Sequence, residues 1–249
     1  MHTSQERTRG MADATAGTEA VELKVTVAEK KERAAAEAFK LNPHDGERRH
    51  IYFFDTGTLA LFGKGVVLRA RLVKGGTDDS TVKIRPVDPL RITSKWHRLD
   101  GFKLEADGVA DRMIRSASLS IEQGGDEIKA VARGTRHIRK LFTEEQESFL
   151  ADLSPVPIDF ERLAALGPVD ALRWKIEHPG LPHPITAEQW TLPDGRDLLE
   201  VSIKVPTVQA PAASAAFDAF LKGLQLKPQG GQETKTRVAL EFFVKQAAV

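Results

Sequence analysis

The sequence predicts an α+β fold built on antiparallel strands, and three observations predict it. Eight short segments alternate apolar and charged residues, as half-buried strands do; residues at helical spacing lie between some of them and after the last; and no internal repeat or low-complexity tract divides the chain. The 249 residues are 41% hydrophobic and 29% charged, an ordinary globular composition and enough for one large domain. Residues 1–18 are polar, small and aperiodic, which predicts a disordered extension and leaves 19–249 as a single domain.

The segments follow in order. VELKVTV from Val21 is the first candidate strand, and EKKERAAAEAF from Glu29 is the first helix. HIYFFDT from His50, VVLRARL from Val66, STVKIRPV from Ser80 and GFKLEADG from Gly101 are the next strands. The stretch from Val109 to Leu166 is the least regular part, apart from a helix opening at Thr143, whose hydroxyl and Gln146 fit a capping box. LRWKIEH from Leu172, AEQWTL from Ala187 and LLEVSIKV from Leu198 complete the strands. Two helices close the chain: Ala213, Phe217, Phe220, Leu221 and Leu224 share one face of the first, and Val238 with Phe242 and Ala239 with Phe243 share one of the second.

Composition excludes several functions. Without cysteine there is no disulfide, thiolate metal site or cysteine nucleophile, so any metal must take oxygen or imidazole ligands. A net charge of +1 from 36 basic and 35 acidic side chains provides no overall basic field for nucleic acid. The absence of a long apolar run or a signal-peptide core predicts a soluble, cytoplasmic protein without a membrane partner. The seven histidines have no metal-ligand spacing. Asp55, Thr56 and Gly57 match an aspartic-protease tripeptide, but no second copy supplies the partner acid. Gly57, Gly63, Lys64 and Gly65 miss the phosphate-loop spacing by one residue and lack its hydroxyl.

The charges themselves are patterned. Residues two apart on a strand share a face, so Glu22 pairs with Lys24, Arg69 with Arg71, Lys83 with Arg85, Lys103 with Glu105 and Asp107, Arg173 with Lys175, and Glu200 with Lys204 across Ser202. The opposite faces are apolar, as with Leu68, Ala70 and Leu72, or Leu199, Val201 and Ile203. Two arrangements satisfy the pattern: the charged faces meet water, or the sheet closes into a barrel whose charged faces converge on a lumen while helices cover the outside. Composition leans toward the barrel, because neighbouring arginines repel unless an anion lies between them. Guanidinium and ammonium groups suit phosphate oxygens, and carboxylates beside them suit a hard cation.

Several ordered motifs resemble the CYTH, or triphosphate tunnel, superfamily from about residue 20 onward. The segment IYFFDTGTLALFGKGVVLRAR is similar to its aromatic-Phe-Asp-Thr segment and Arg-x-Arg strand; VKIRP, GFKLEADG, RHIRKLFTEEQ and LPDG followed by LLEVSIK continue the match. The amino-terminal Glu-x-Glu-x-Lys signature is represented by Ala20, Glu22 and Lys24, and Ser202 stands where some active members carry another acid. The resemblance implies an antiparallel eight-stranded tunnel with helices outside, acting as a monomer or homodimer on a triphosphate or polyphosphate with Mg2+ or Mn2+. It places Glu22 and Lys24 in catalysis. It places Lys24, Arg69, Arg71, Lys83, Arg85, Arg139, Lys175 and Lys204 on the substrate, and Glu22, Glu105, Asp107, Glu188 and Glu200 on metal. The implied activity is metal-dependent triphosphate hydrolysis. Loss of carboxylates at positions 20 and 202 leaves open a binding module without turnover, and the superfamily also includes adenylate cyclases of class IV type.

Overall fold

The computed structural model describes residues 15, 17–109, 112–226 and 234–247. Most of the residues 1–18 assigned above to a disordered extension lie outside the described residues, although the Thr207 hydroxyl donates to the Thr18 carbonyl at 2.7 Å. Among the described residues there are nine strands: β1 (Ala20–Thr26), β2 (Glu47–Asp55), β3 (Val66–Val73), β4 (Asp79–Ile84), β5 (Phe102–Val109), β6 (Arg112–Glu122), β7 (Ala164–His178), β8 (Leu181–Thr191) and β9 (Asp197–Pro206). The helices are α1 (Glu32–Ala38), α2 (Ser94–His97), α3 (Gly125–Ala132), α4 (Glu144–Leu153), α5 (Ala210–Gly223) and α6 (Lys235–Ala247). None of them is long and apolar enough to cross a membrane.

The strands hydrogen-bond in the order β1-β5-β6-β4-β3-β2-β7-β8-β9 and close into a barrel as β9 pairs back onto β1. The expected eight antiparallel strands are therefore corrected to nine in a mixed sheet. The additional strand is β6, inside the stretch that looked least regular. Its Ser118 and Ser120 face Lys83 and Thr81 and alternate with the buried Ala117 and Leu119, so the period-two signal is present but at these positions lacks the charged residues that mark the other strands. The parallel pair is β1 with β5, where Ala20 lies opposite Glu105 and Glu22 opposite Asp107. Parallel neighbours need a long crossover, here the chain through β2, β3 and β4, and no local turn signal announces one.

Contacts divide the chain into two compact units. In the unit of residues up to 47, 104–115 and 172–235, strands β1, β8 and β9 present Val21, Leu23, Val25, Ile185, Ala187, Val201, Ile203 and Val205 to one core. Helix α1 adds Ala35, and α5 adds Ala210, Ala213, Phe217 and Leu221. The predicted helical stripe of α5 is thus the face it buries, with Phe220 and Leu224 at its margin. Fully burying each such aliphatic side chain contributes about 1.5–3 kcal/mol.

In the unit of residues 48–103, 116–171 and 236–249, strands β3, β4 and β6 bury Leu68, Ala70, Val82, Ile84, Ala117 and Leu119. Helix α4 contributes Phe149, Leu150 and Leu153, and Phe149 meets Trp96 of α2 edge-on at 5.2 Å. The capping box at Thr143 forms as expected. Its Gln146 also reaches into the sheet, fully buried, donating to the Ser80 and Leu119 carbonyls at 3.1 Å each and accepting from the Ser80 hydroxyl at 2.9 Å. One amide therefore caps α4 and ties it to two strands.

Candidate functional site

In the first unit, the register places the charged residues on one face. Glu22 of β1 lies opposite Asp107 of β5 and Lys204 of β9; Lys24 lies opposite Ser202; Glu188 of β8 lies opposite Glu200 of β9. The other face of the same strands is the apolar core under α1 and α5, so alternation alone separates the two. This charged face is no solvated surface: Asp107 is fully buried, Glu200 and Ser202 are buried, and the Lys24 side chain is 15% exposed.

Each ion here has a specific partner. The Lys24 ammonium is 2.8 Å from Glu22 Oε2 and 3.1 Å from Asp107 Oδ1. Burial by itself would lower the Lys24 pKa, but the carboxylates of Glu22, Asp107 and Glu200 outweigh it and hold Lys24 above its ordinary value, as a fixed cation. Lys204, exposed at the strand edge, pairs with Glu105. Lys235, the first residue of α6, reaches Glu188 Oε2 at 2.5 Å and Glu200 Oε1 at 3.2 Å. Lys175 stands exposed on β7.

In the second unit, Arg69 of β3 lies opposite Thr81 of β4, and Arg71 opposite Asp79. Lys83 shares their face, Arg85 follows directly after the strand, and all four cations are partly buried. The Arg71 guanidinium donates to Asp79 Oδ2 from Nε at 2.8 Å and from Nη2 at 2.6 Å. Thr81 donates to Asp79 Oδ1 at 3.0 Å and shares a hydrogen bond with Ser120 at 2.9 Å. The apolar side of these strands packs on α4, so here too one face is greasy and the other ionic. Arg139 is not brought into this group. It is 61% exposed and forks onto Glu147, with Nε to Oε1 at 3.0 Å and Nη2 to Oε2 at 2.8 Å.

Asp55, which superficially matched a protease motif, accepts from the backbone amides of Thr56, Leu61 and Phe62 and so organises the loop before β3. Gly65, which superficially matched a phosphate loop, has φ +78°, and a Cβ there would lie 1.9 Å from the Arg85 carbonyl. Its conservation of space is structural, because the Arg85 amide donates to the Gly65 carbonyl at 2.7 Å and closes β3 onto β4.

The sequence reading missed Lys235, Asp79 and Thr81 as members of these ionic faces. Asp79 could have been found from its period-two relation to Lys83; Lys235 could not, because its contacts cross from a helix to distant strands. The five acids nominated as metal ligands are all lysine partners: Glu22 and Asp107 of Lys24, Glu105 of Lys204, Glu188 and Glu200 of Lys235. Among the described residues, no group of three or more His, Asp or Glu side chains is placed to hold a metal ion. As arranged, the acids do not fit a resident divalent ion.

No family model matches the chain, and no curated protein sequence matches it. Solved structures do. A Bacillus halodurans protein described as a candidate adenylate cyclase superposes with a TM-score of 0.60 at 14% identity, over 87% of this chain and 95% of its own. A Hippeastrum protein, a candidate adenylyl cyclase reported to have a dominant triphosphatase activity, superposes with a TM-score of 0.63 at 14% identity, over 90% of this chain and 96% of its own. At such identity the likeness is one of fold.

Proposed function

We propose, from the premise that this chain has the fold of the CYTH-type proteins, that it binds inorganic triphosphate or another triphosphate-containing compound and hydrolyses a phosphoanhydride bond in it. The observation that carries this reading is the cationic face of β3 and β4, where Arg69, Arg71, Lys83 and Arg85 gather on the side turned away from α4. Four partly buried cations gathered on one face suit an anionic ligand, and guanidinium forks match phosphate oxygens in geometry as well as charge.

Phosphoryl transfer asks a protein mainly for positioning and for stabilisation of charge on the phosphoryl oxygens. Arg69 and Arg71 supply that charge in this reading. Water adds to the terminal phosphorus, the bridging P–O bond breaks, and triphosphate gives diphosphate and phosphate.

The test is a panel of tripolyphosphate, nucleoside triphosphates and thiamine triphosphate, each assayed with Mg2+, with Mn2+ and with a chelator, on the full chain beside Arg71→Ala. Phosphate release by the parent that falls at least about tenfold in Arg71→Ala supports the reading, since a lost charge-assisted pair is worth about 1.5–3 kcal/mol. Absence of both phosphate release and binding for every compound overturns it. Binding without turnover is the second reading, favoured by Ser202 lying opposite Lys24 where a carboxylate would add a ligand. Calorimetry would separate the two, and cyclic AMP formed from ATP would instead assign a cyclase.

A further inference from the structure

Two carboxylates placed directly across an antiparallel pair repel each other, more so when shielded from water. Glu188 and Glu200 are such a pair, and Glu200 is buried. The chain resolves the conflict with its own side chain. The Lys235 ammonium contacts one oxygen of each acid and sits 4.7 Å from the centre of the Trp190 ring, on whose face a cation is attracted. The second oxygen of Glu188 is occupied as well, because the Trp190 indole N–H donates to Oε1 at 3.1 Å. Lys235 is 7% exposed, a value reached by lysine side chains when they are paired.

We propose that Lys235 is a built-in counter-cation that holds Glu188 and Glu200 in place of a divalent ion, so that this chain binds its phosphate ligand without a resident metal. The first part stands on the geometry of β8, β9 and α6; the second rests on the triphosphate reading above. An ammonium has three donors and no lone pair to offer a metal. A divalent ion would need several oxygens at about 2.0–2.6 Å, and to reach these two acids it would have to expel Lys235 from between them or lie against its charge. Lys24 stands in the same way between Glu22 and Asp107, which face each other across β1 and β5.

The experiment titrates Mn2+ by calorimetry, without phosphate, into the full chain, Glu200→Gln, Lys235→Met and Lys235→Met/Glu200→Gln. The parent is expected to show no saturable Mn2+ site. Lys235→Met, which keeps the length of the side chain and removes its charge, is expected to tighten Mn2+ binding at least about tenfold, and the added Glu200→Gln change to undo that gain. One Mn2+ bound per parent chain and lost in Glu200→Gln would overturn the assignment, as would a folded Lys235→Met that binds no better than the parent. If Lys235→Met fails to fold by circular dichroism, the parent and Glu200→Gln titrations decide alone. Tripolyphosphate is then titrated into the parent with chelator and with Mn2+. Similar affinities support metal-free binding, and binding abolished by chelator refutes it. No binding in either condition removes the triphosphate reading, while the Mn2+ titrations still judge the counter-cation.

Discussion

Replacing Lys24 with methionine removes one charge and preserves most of the side-chain volume, which makes it a sensitive probe of the ionic face in the first unit. The ammonium lies 2.8 Å from Glu22 and 3.1 Å from Asp107, and Asp107 is fully buried. Removing one partner of a buried ion pair leaves the other charge in a low-dielectric setting and typically costs about 3–5 kcal/mol. For a chain of this size each kcal/mol lowers the melting temperature by about 2–4 °C, so Lys24→Met should melt on the order of 10 °C below the parent. Asp107→Asn removes the stranded charge, and the double variant should therefore lose less than the sum of the singles, with a coupling of about 1.5 kcal/mol or more. Urea unfolding followed by tryptophan fluorescence, with thermal melts alongside, measures all corners of the cycle. Additivity within about 0.5 kcal/mol would refute the pairing as the reason this face tolerates burial.

Three further outcomes follow from the geometry. The Glu32 carboxyl is pushed from 4.5 up to about 7, first by burial and then by Asp197 and Glu29, against a backbone bond from Leu199 that opposes the shift. The folded state thus holds a proton that the unfolded state gives up, so stability present below pH 4.5 is lost as pH rises through about 7. Discounted for its partial exposure, Glu32→Gln should be about 1–2 kcal/mol more stable than the parent at pH 8 and indistinguishable at pH 4.5, and parallel pH profiles in urea unfolding would contradict this. Gln146→Ala strips the bonds that join α4 to β4 and β6 and leaves the Ser80 and Leu119 carbonyls without this donor; a loss of about 2–4 kcal/mol is expected, and a change under about 1 kcal/mol in the urea midpoint would argue against the tie. Gly65→Ala forces a Cβ to within 1.9 Å of the Arg85 carbonyl at φ +78°; about 3 kcal/mol should be lost in thermal melts, whereas Gly63→Ala, with open space around it, should be tolerated.

How much of this was legible before folding depends on how far apart the interacting residues lie. Faces were legible wherever a strand alternates: Glu22 and Lys24, Arg69 and Arg71, Glu105 and Asp107, and Glu200 and Lys204 occupy common faces because neighbouring side chains must point to opposite sides. The capping box at Thr143 and the buried stripe of α5 were legible for the same reason, since both are set by contacts within four residues or so. β6 alternates too, Ser118 and Ser120 against Ala117 and Leu119, but at those polar positions it lacks the charges by which the other strands stand out.

The sequence by itself determined which residues share a face, where most of the strands and helices begin, and that one side of the sheet would be ionic. Tertiary structure alone decided the parallel pairing of β1 with β5, the second duty of Gln146, and the partner of each acid. Lys235 meets Glu188 and Glu200 from positions 47 and 35 residues away, read from their numbers. Local periodicity carries no information over such distances; β8 pairing with β9 sets Glu188 opposite Glu200, and Lys235 meets both from far along the chain.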